Sequence, residues 1–171
     1  PALKCGAILT ASRWDAIPWN VYPPPPAGDI ELESQTVSGE PSILRILDAN
    51  LNRAREGLRV VEEYARFVLA DAGLSESIKQ LRHDLVAGVP RSIASVLHTH
   101  RDSRGDIGRE VSTASEMQRG GAGDVARASA ARVTEALRSI EEYGKTVDVE
   151  FAARVESLRY RAYELERRLT L

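Results

Sequence analysis

Cysteine, methionine and aromatic residues are all scarce in this chain, which has one Cys, one Met, two Phe and only 5% aromatics among its 171 residues. The lone Cys5 excludes an internal disulfide and a thiolate metal cage, and it fits a reducing compartment. Long apolar runs are missing too. No stretch approaches the ~20 residues of a membrane span, and the N-terminus lacks the basic region and apolar run of a signal peptide, so a cytoplasmic protein is expected. Charge of one sign is absent: the formal net charge of -2 creates no field that would draw the chain onto nucleic acid or an anionic membrane. Any anion site must therefore be local. There is no Ser/His/Asp elbow, no Rossmann glycine fingerprint and no Walker A lysine after Gly120-Gly121-Ala122-Gly123. That glycine run could present amide donors to an anion, but a flexible helix connection explains it as well. His98 and His100 lack a nearby third His or Cys, which argues against zinc.

What is present is charge of both signs, 28% of residues, on a Leu/Ala/Val-rich background. This composition suits helices. Residues 1–41 stand apart, with Trp14, Trp19 and the Pro23 to Pro26 run but no helical period, and read as a Pro-rich tail or linker. Residues 42–171 read as one all-α domain. From Ile43 onward, Leu44, Leu47, Leu51, Ala54, Leu58, Val61, Ala65 and Val68 alternate three- and four-residue steps along one helix stripe. That helix is expected to end near Ala72-Gly73 with Gly73 as its cap, and Ser75 to cap the next, whose inner face is Ile78, Leu81 and Leu85. Pro90 interrupts, a short helix spans Arg91 to Leu97, and residues 98–112 form a loop. Thr113 with Glu116 resembles a capping box, and Asp124 is expected to cap a long helix with Ala126, Ala130, Val133, Leu137, Ile140, Gly144 and Val147 inward. The last helix starts near Glu150 and turns Val155, Leu158, Ala162, Leu165 and Leu169 inward.

The two long helices share more than a stripe. At one constant offset Arg53 matches Arg132, Glu56 matches Glu135, Leu58-Arg59 matches Leu137-Arg138, and Glu62-Glu63-Tyr64 matches Glu141-Glu142-Tyr143. The partner helices match as well, Leu81-Arg82-His83 against Leu158-Arg159-Tyr160, so two helical hairpins stacked into a four-helix core are expected. Packing explains repeated Leu and Val, but it does not require repeated charges. One explanation is i,i+3 and i,i+4 ion pairs on solvated faces, each worth ~0.3–0.5 kcal/mol. The other is a polar groove between the units, lined by arginines for phosphate and carboxylates for a metal or a base edge. The loop Arg101-Asp102-Ser103-Arg104-Gly105-Asp106-Ile107-Gly108-Arg109 has the same two readings: phosphate and Mg²⁺ contacts, or a charged surface turn.

Six segments in order, ILDANLNRAREGLRVVEEYARF, LRHDL, RDSRGDIG, EVSTASE, TEALRSIEEYGK and LRYRAYELE, resemble a helical family of monofunctional hydroxymethylpyrimidine phosphate kinases of thiamine biosynthesis, a domain often fused N-terminal to thiamine phosphate synthase. The likeness covers roughly residues 43–166. It implies an all-α bundle of two duplicated hairpins with an extra short helix and an inserted loop. It also implies ATP-dependent phosphorylation of 4-amino-5-hydroxymethyl-2-methylpyrimidine phosphate, with Mg²⁺. On that basis Arg59, Arg138 and Asp106 are expected to be catalytic, and Asn50, Asn52, Arg53, Glu56, Arg101, Arg132 and Glu135 to contact substrate. Asp102 and Asp106 are expected to hold the metal. Ala131, where the first unit has Asn52, weakens the second unit's claim to substrate contact. A homo-oligomer and a thiamine phosphate synthase partner or fusion are expected. The alternatives are a non-catalytic helical module that docks such a synthase, and a domain that binds a thiamine-related phosphate without chemistry.

Overall fold

The computed structural model describes residues 40–108 and 118–169, and every element among them is helical. The tail reading of residues 1–41 and the Thr113–Glu116 capping box fall outside or almost wholly outside the described residues. α1 spans Pro41–Glu63 and places Pro41 at the first helical turn, where no amide donor is needed. One π-helical turn, Tyr64–Val68, continues it. α2 is Ala72–Ala87, α3 is Arg91–Leu97 with a 3₁₀ turn at His98–His100, α4 is Ala122–Gly144 and α5 is Val149–Arg168.

α1 and α2 form one hairpin and α4 and α5 the other. The two stack with α1 against α4 and α2 against α5. The expected stripes supply the core. Leu47, Ala54 and Ala65 of the first hairpin meet Val133, Leu137 and Ile140 of the second, while Ile78 and Leu81 of α2 and Phe151 and Val155 of α5 complete it.

Three helix ends differ from the sequence expectation. The π turn advances the chain by more residues per turn than an α-helix, so the stripe loses phase after Ala65 and Val68 is left exposed. Ala70, not Gly73, takes the left-handed conformation that ends the helix, with φ of 53°. Asp71 rather than Ser75 caps α2, its carboxylate accepting from the Leu74 amide at 2.8 Å. Asp148 caps α5 in the same way, accepting from the Phe151 amide at 2.8 Å. Those two caps are themselves a repeated pair. At α4 the cap position belongs to Gly121, and Asp124 sits inside the first turn, where it accepts from the Gly120 amide at 2.9 Å. A carboxylate there reaches back to an orphan donor and complements the helix dipole, which explains why it mimics a cap in the sequence.

Candidate functional site

The duplicated charges divide into two sets with different tasks. The first set holds each hairpin together. Glu62 of α1 is buried and accepts from Arg82 of α2 at 3.0 Å, and its repeat Glu141 of α4 is buried and accepts from Arg159 of α5 at 2.7 Å. Arg59 pairs with Glu63 at 3.1 Å and lies 3.8 Å from Glu62. Arg138 pairs with Glu141 at 2.7 Å and Glu142 at 2.8 Å. Arg159 also stacks over Tyr160 and Tyr163, and its hydrogen bond to Glu141 raises an already high guanidinium pKa. A carboxylate held this way is a clamp between helices, and Arg59 and Arg138 are spent on it.

The second set lines an open cleft of about 600 Å³ where α1 meets α4. α1 contributes Asn50, Arg53, Glu56, Gly57 and Val60, and α4 contributes Ser129, Arg132, Glu135, Ala136 and Ser139. Each α4 residue is the repeat of one α1 residue, at the offset that relates Arg53 to Arg132. The cleft therefore lies on the pseudo-twofold axis of the fold. The axis emerges again between α2 and α5, where Asp84 and Arg161 occupy equivalent positions and bond to each other at 2.7 Å. Gly57 forms the floor: a Cβ there would lie 2.7 Å from Val133 Cγ2 and 3.0 Å from the Ser129 carbonyl oxygen, so the two backbones approach as closely as glycine allows.

Glu56, Arg132 and Glu135 make no ion pair with any described residue, which they share with surface charges such as Arg45, Arg55 and Glu76, but these three line one cleft. Arg53 has only a long 3.5 Å contact to Asn50 Oδ1. Asn50 is nearly buried and anchored by donation from Nδ2 to the Ile46 carbonyl at 2.9 Å. Ser129 is also nearly buried, and it lines the cleft at the position that repeats Asn50. A concave polar surface with guanidinium, carboxylate and hydroxyl groups is suited to an anionic ligand that also carries N–H donors.

The remaining site candidates lie elsewhere. Asn52 donates to the carbonyl and carboxylate of Asp48 at 3.0 and 3.3 Å, on a side of α1 roughly a third of a turn from Arg53. Asp48, which the sequence reading missed, is buried and accepts two hydrogen bonds from Arg101, each 2.7 Å. Its partner lies 53 residues away, so no local pattern announces it. Arg101 thereby fastens the start of the loop to α1. Asp102 accepts from the Gly105 amide at 2.8 Å and Asp106 from the Gly108 amide at 2.9 Å, and both are exposed turn formers. Among the described residues, no three His, Cys, Asp or Glu side chains gather into a metal-holding group. None of the described helices is long and apolar enough to cross a membrane.

Comparison with known proteins bears on this cleft. A family model described as the ThiD2 family matches residues 45–168, which include both walls and both hairpin clamps. The chain belongs to the ThiD2 family. A thiamine-phosphate synthase of Rhodopirellula baltica is 51% identical over 130 residues, covering 76% of this chain and 35% of that protein. A thiamine-phosphate synthase of Thermosynechococcus vestitus is 49% identical over 127 residues, covering 74% and 35%. The chain thus spans about a third of the length of these relatives. No solved structure matches it.

Proposed function

We propose that this ThiD2 domain transfers the γ-phosphoryl group of ATP to 4-amino-5-hydroxymethyl-2-methylpyrimidine phosphate, forming the diphosphate and ADP. The observation that carries this reading is the pair of facing arginines, Arg53 and Arg132, uncommitted on opposite walls of one cleft. In the reaction an oxygen of the substrate phosphate attacks the γ-phosphorus while the bond to the β–γ bridging oxygen breaks. Two polyanions have to meet, so charge neutralisation and alignment supply most of the catalysis. One arginine on each wall matches one anion from each side. The likeness to thiamine-phosphate synthases supports a substrate from thiamine biosynthesis, and a synthase as partner or fusion.

Within this reading Arg53 and Arg132 hold phosphate, and Arg59 and Arg138 keep the carboxylates of the clamp in place. Mg²⁺ held by nucleotide phosphates needs only one or two carboxylates, and Glu56 and Glu135 in the cleft fit that requirement better than the turn-forming Asp102 and Asp106. When bound, the ion would neutralise charge on the transferred group.

Incubation of the purified chain with ATP, Mg²⁺ and the pyrimidine monophosphate tests the proposal. Diphosphate and stoichiometric ADP are expected. Arg53→Ala and Arg132→Ala should each cut turnover by about 10²–10³-fold with helicity retained. Binding of a synthase partner with no ATP consumption would instead identify a docking module.

A further inference from the structure

The pseudo-twofold axis gives both walls of the cleft an arginine and a glutamate, so only the neutral positions can tell the walls apart. Of the three neutral pairs, Gly57 with Ala136 offers no polar side-chain group, which leaves Asn50 and Val60 on the α1 wall against Ser129 and Ser139 on the α4 wall. Asn50 Nδ2 is committed to the Ile46 carbonyl, which fixes the amide and leaves Oδ1 as the group toward Arg53. To the arginine and glutamate that both walls share, the α1 wall therefore adds a fixed acceptor, Asn50 Oδ1, beside the half-buried methyl groups of Val60. A flat nitrogen heterocycle with an exocyclic amine matches that set, its N–H groups meeting the acceptors and its face meeting the valine. The α4 wall carries hydroxyls at both positions, and that of Ser139 donates to the Glu135 carbonyl at 3.1 Å, so Ser129 holds the wall's remaining hydroxyl donor. The Ser129 hydroxyl lines the cleft and can donate at the position where the α1 wall has the Asn50 oxygen. Donors suit the oxygens of a phosphate chain.

We infer that the α1 wall is the aminopyrimidine subsite and that the α4 wall is the subsite for the donor nucleotide's phosphates, with Asn50, Val60, Ser129 and Ser139 as the residues that set the difference. This assignment rests on the kinase reading for the identity of the two ligands. It is independent of that reading in one respect, since affinity for each ligand is measurable without turnover.

The test exchanges the walls' neutral residues, with Asn50→Ser and Val60→Ser on one side and Ser129→Asn and Ser139→Val on the other. Calorimetry on the full chain measures Kd for the pyrimidine monophosphate alone and for a non-hydrolysable ATP analogue with Mg²⁺, alongside kcat and KM for both substrates. Either α1 variant should weaken the pyrimidine monophosphate about tenfold, the loss of one good contact, and leave the nucleotide unchanged. The α4 variants should do the reverse. Asn50→Ser removes the tie to Ile46 and could loosen α1, so the half-buried Val60→Ser carries the test if that variant melts early. Equal effects on both ligands from every variant, the opposite selectivity, or a wild-type chain that binds neither ligand would overturn the assignment. Ligand-selective effects on binding without any diphosphate formed would sink the kinase reading and keep the subsites. Turnover with unselective variants would do the converse.

Discussion

Gly57→Ala should destabilise this protein, although the same change inside most helices stabilises. Alanine is favoured over glycine in a helix interior by about 1 kcal/mol, and that gain applies in the middle of α1. Against it stands the crossing with α4. The added methyl would sit 2.7 Å from Val133 Cγ2 and 3.0 Å from the Ser129 carbonyl oxygen. Val133 is β-branched and buried, and the other contact is backbone, so neither neighbour can swing away and the helices must separate. Overpacking of this kind costs about 1–3 kcal/mol, here toward the upper end, which leaves a net loss of ~1–2 kcal/mol. For a domain of this size that corresponds to a fall in Tm of about 3–10 °C. Thermal unfolding followed by far-UV circular dichroism measures it. Gly73→Ala is the control: only Asp71 Oδ1 lies near, at 3.6 Å, and this variant should melt at or slightly above the wild-type temperature. A Gly57→Ala protein as stable as the wild type would refute the close crossing, and with it the shape of the cleft floor.

Other variants separate the two charge sets. Glu141→Gln should cost about 3–5 kcal/mol in chemical denaturation because it strands the buried Arg159, whereas Arg138→Ala, on a half-exposed side chain, should cost ~1 kcal/mol or less. Equal costs would contradict the clamp. Asp48→Asn should speed amide exchange across residues 101–108, since it removes the charge that Arg101 grips at 2.7 Å, and unchanged exchange would show the loop to be held otherwise. Acid stability should depend on Asp84. Burial pushes its carboxyl pKa up, but hydrogen bonds from Arg161 and Gln80, with the charges of Arg161 and His83, outweigh this and hold it below the ordinary value of 3.8. A depressed pKa contributes stability that is present above the unfolded value and lost as pH falls through the folded one. Urea midpoints taken from neutral pH down to about pH 3 should therefore fall less steeply for Asp84→Asn.

Much of the architecture was legible in the chain because it depends on period alone. The three- and four-residue steps of Leu47, Leu51, Ala54 and Leu58 determine a buried stripe, and the matched offset of Arg53 with Arg132 signals two alike units. What period does not determine is which flank of the stripe faces the other unit. Arg53 and Arg59 belong to one motif, yet they lie on different sides of α1, and only the crossing at Gly57 decides that Arg53 lines the cleft while Arg59 braces Glu62 and Glu63. The helix junction misled for a different reason. A π turn inserts a phase slip that no residue type announces, so Gly73 resembled the stop signal while Ala70 carried the strained conformation. A signal for the repeated caps of α2 and α5 was available in the sequence: Asp71 and Asp148 precede corresponding hydrophobic positions, Leu74 and Phe151.

The meeting of Asp84 with Arg161 has a consequence for how such a fold can arise. In an assembly of two identical hairpins the axis would set aspartate against aspartate, or arginine against arginine, and the contact would repel. Opposite charges at one symmetric position require two copies that differ in sequence, as two hairpins encoded in a single polypeptide can. A split version, with the two hairpins made as separate chains, should accordingly assemble as a mixed pair in preference to either like pair, its partners sorted by that one bond on the axis.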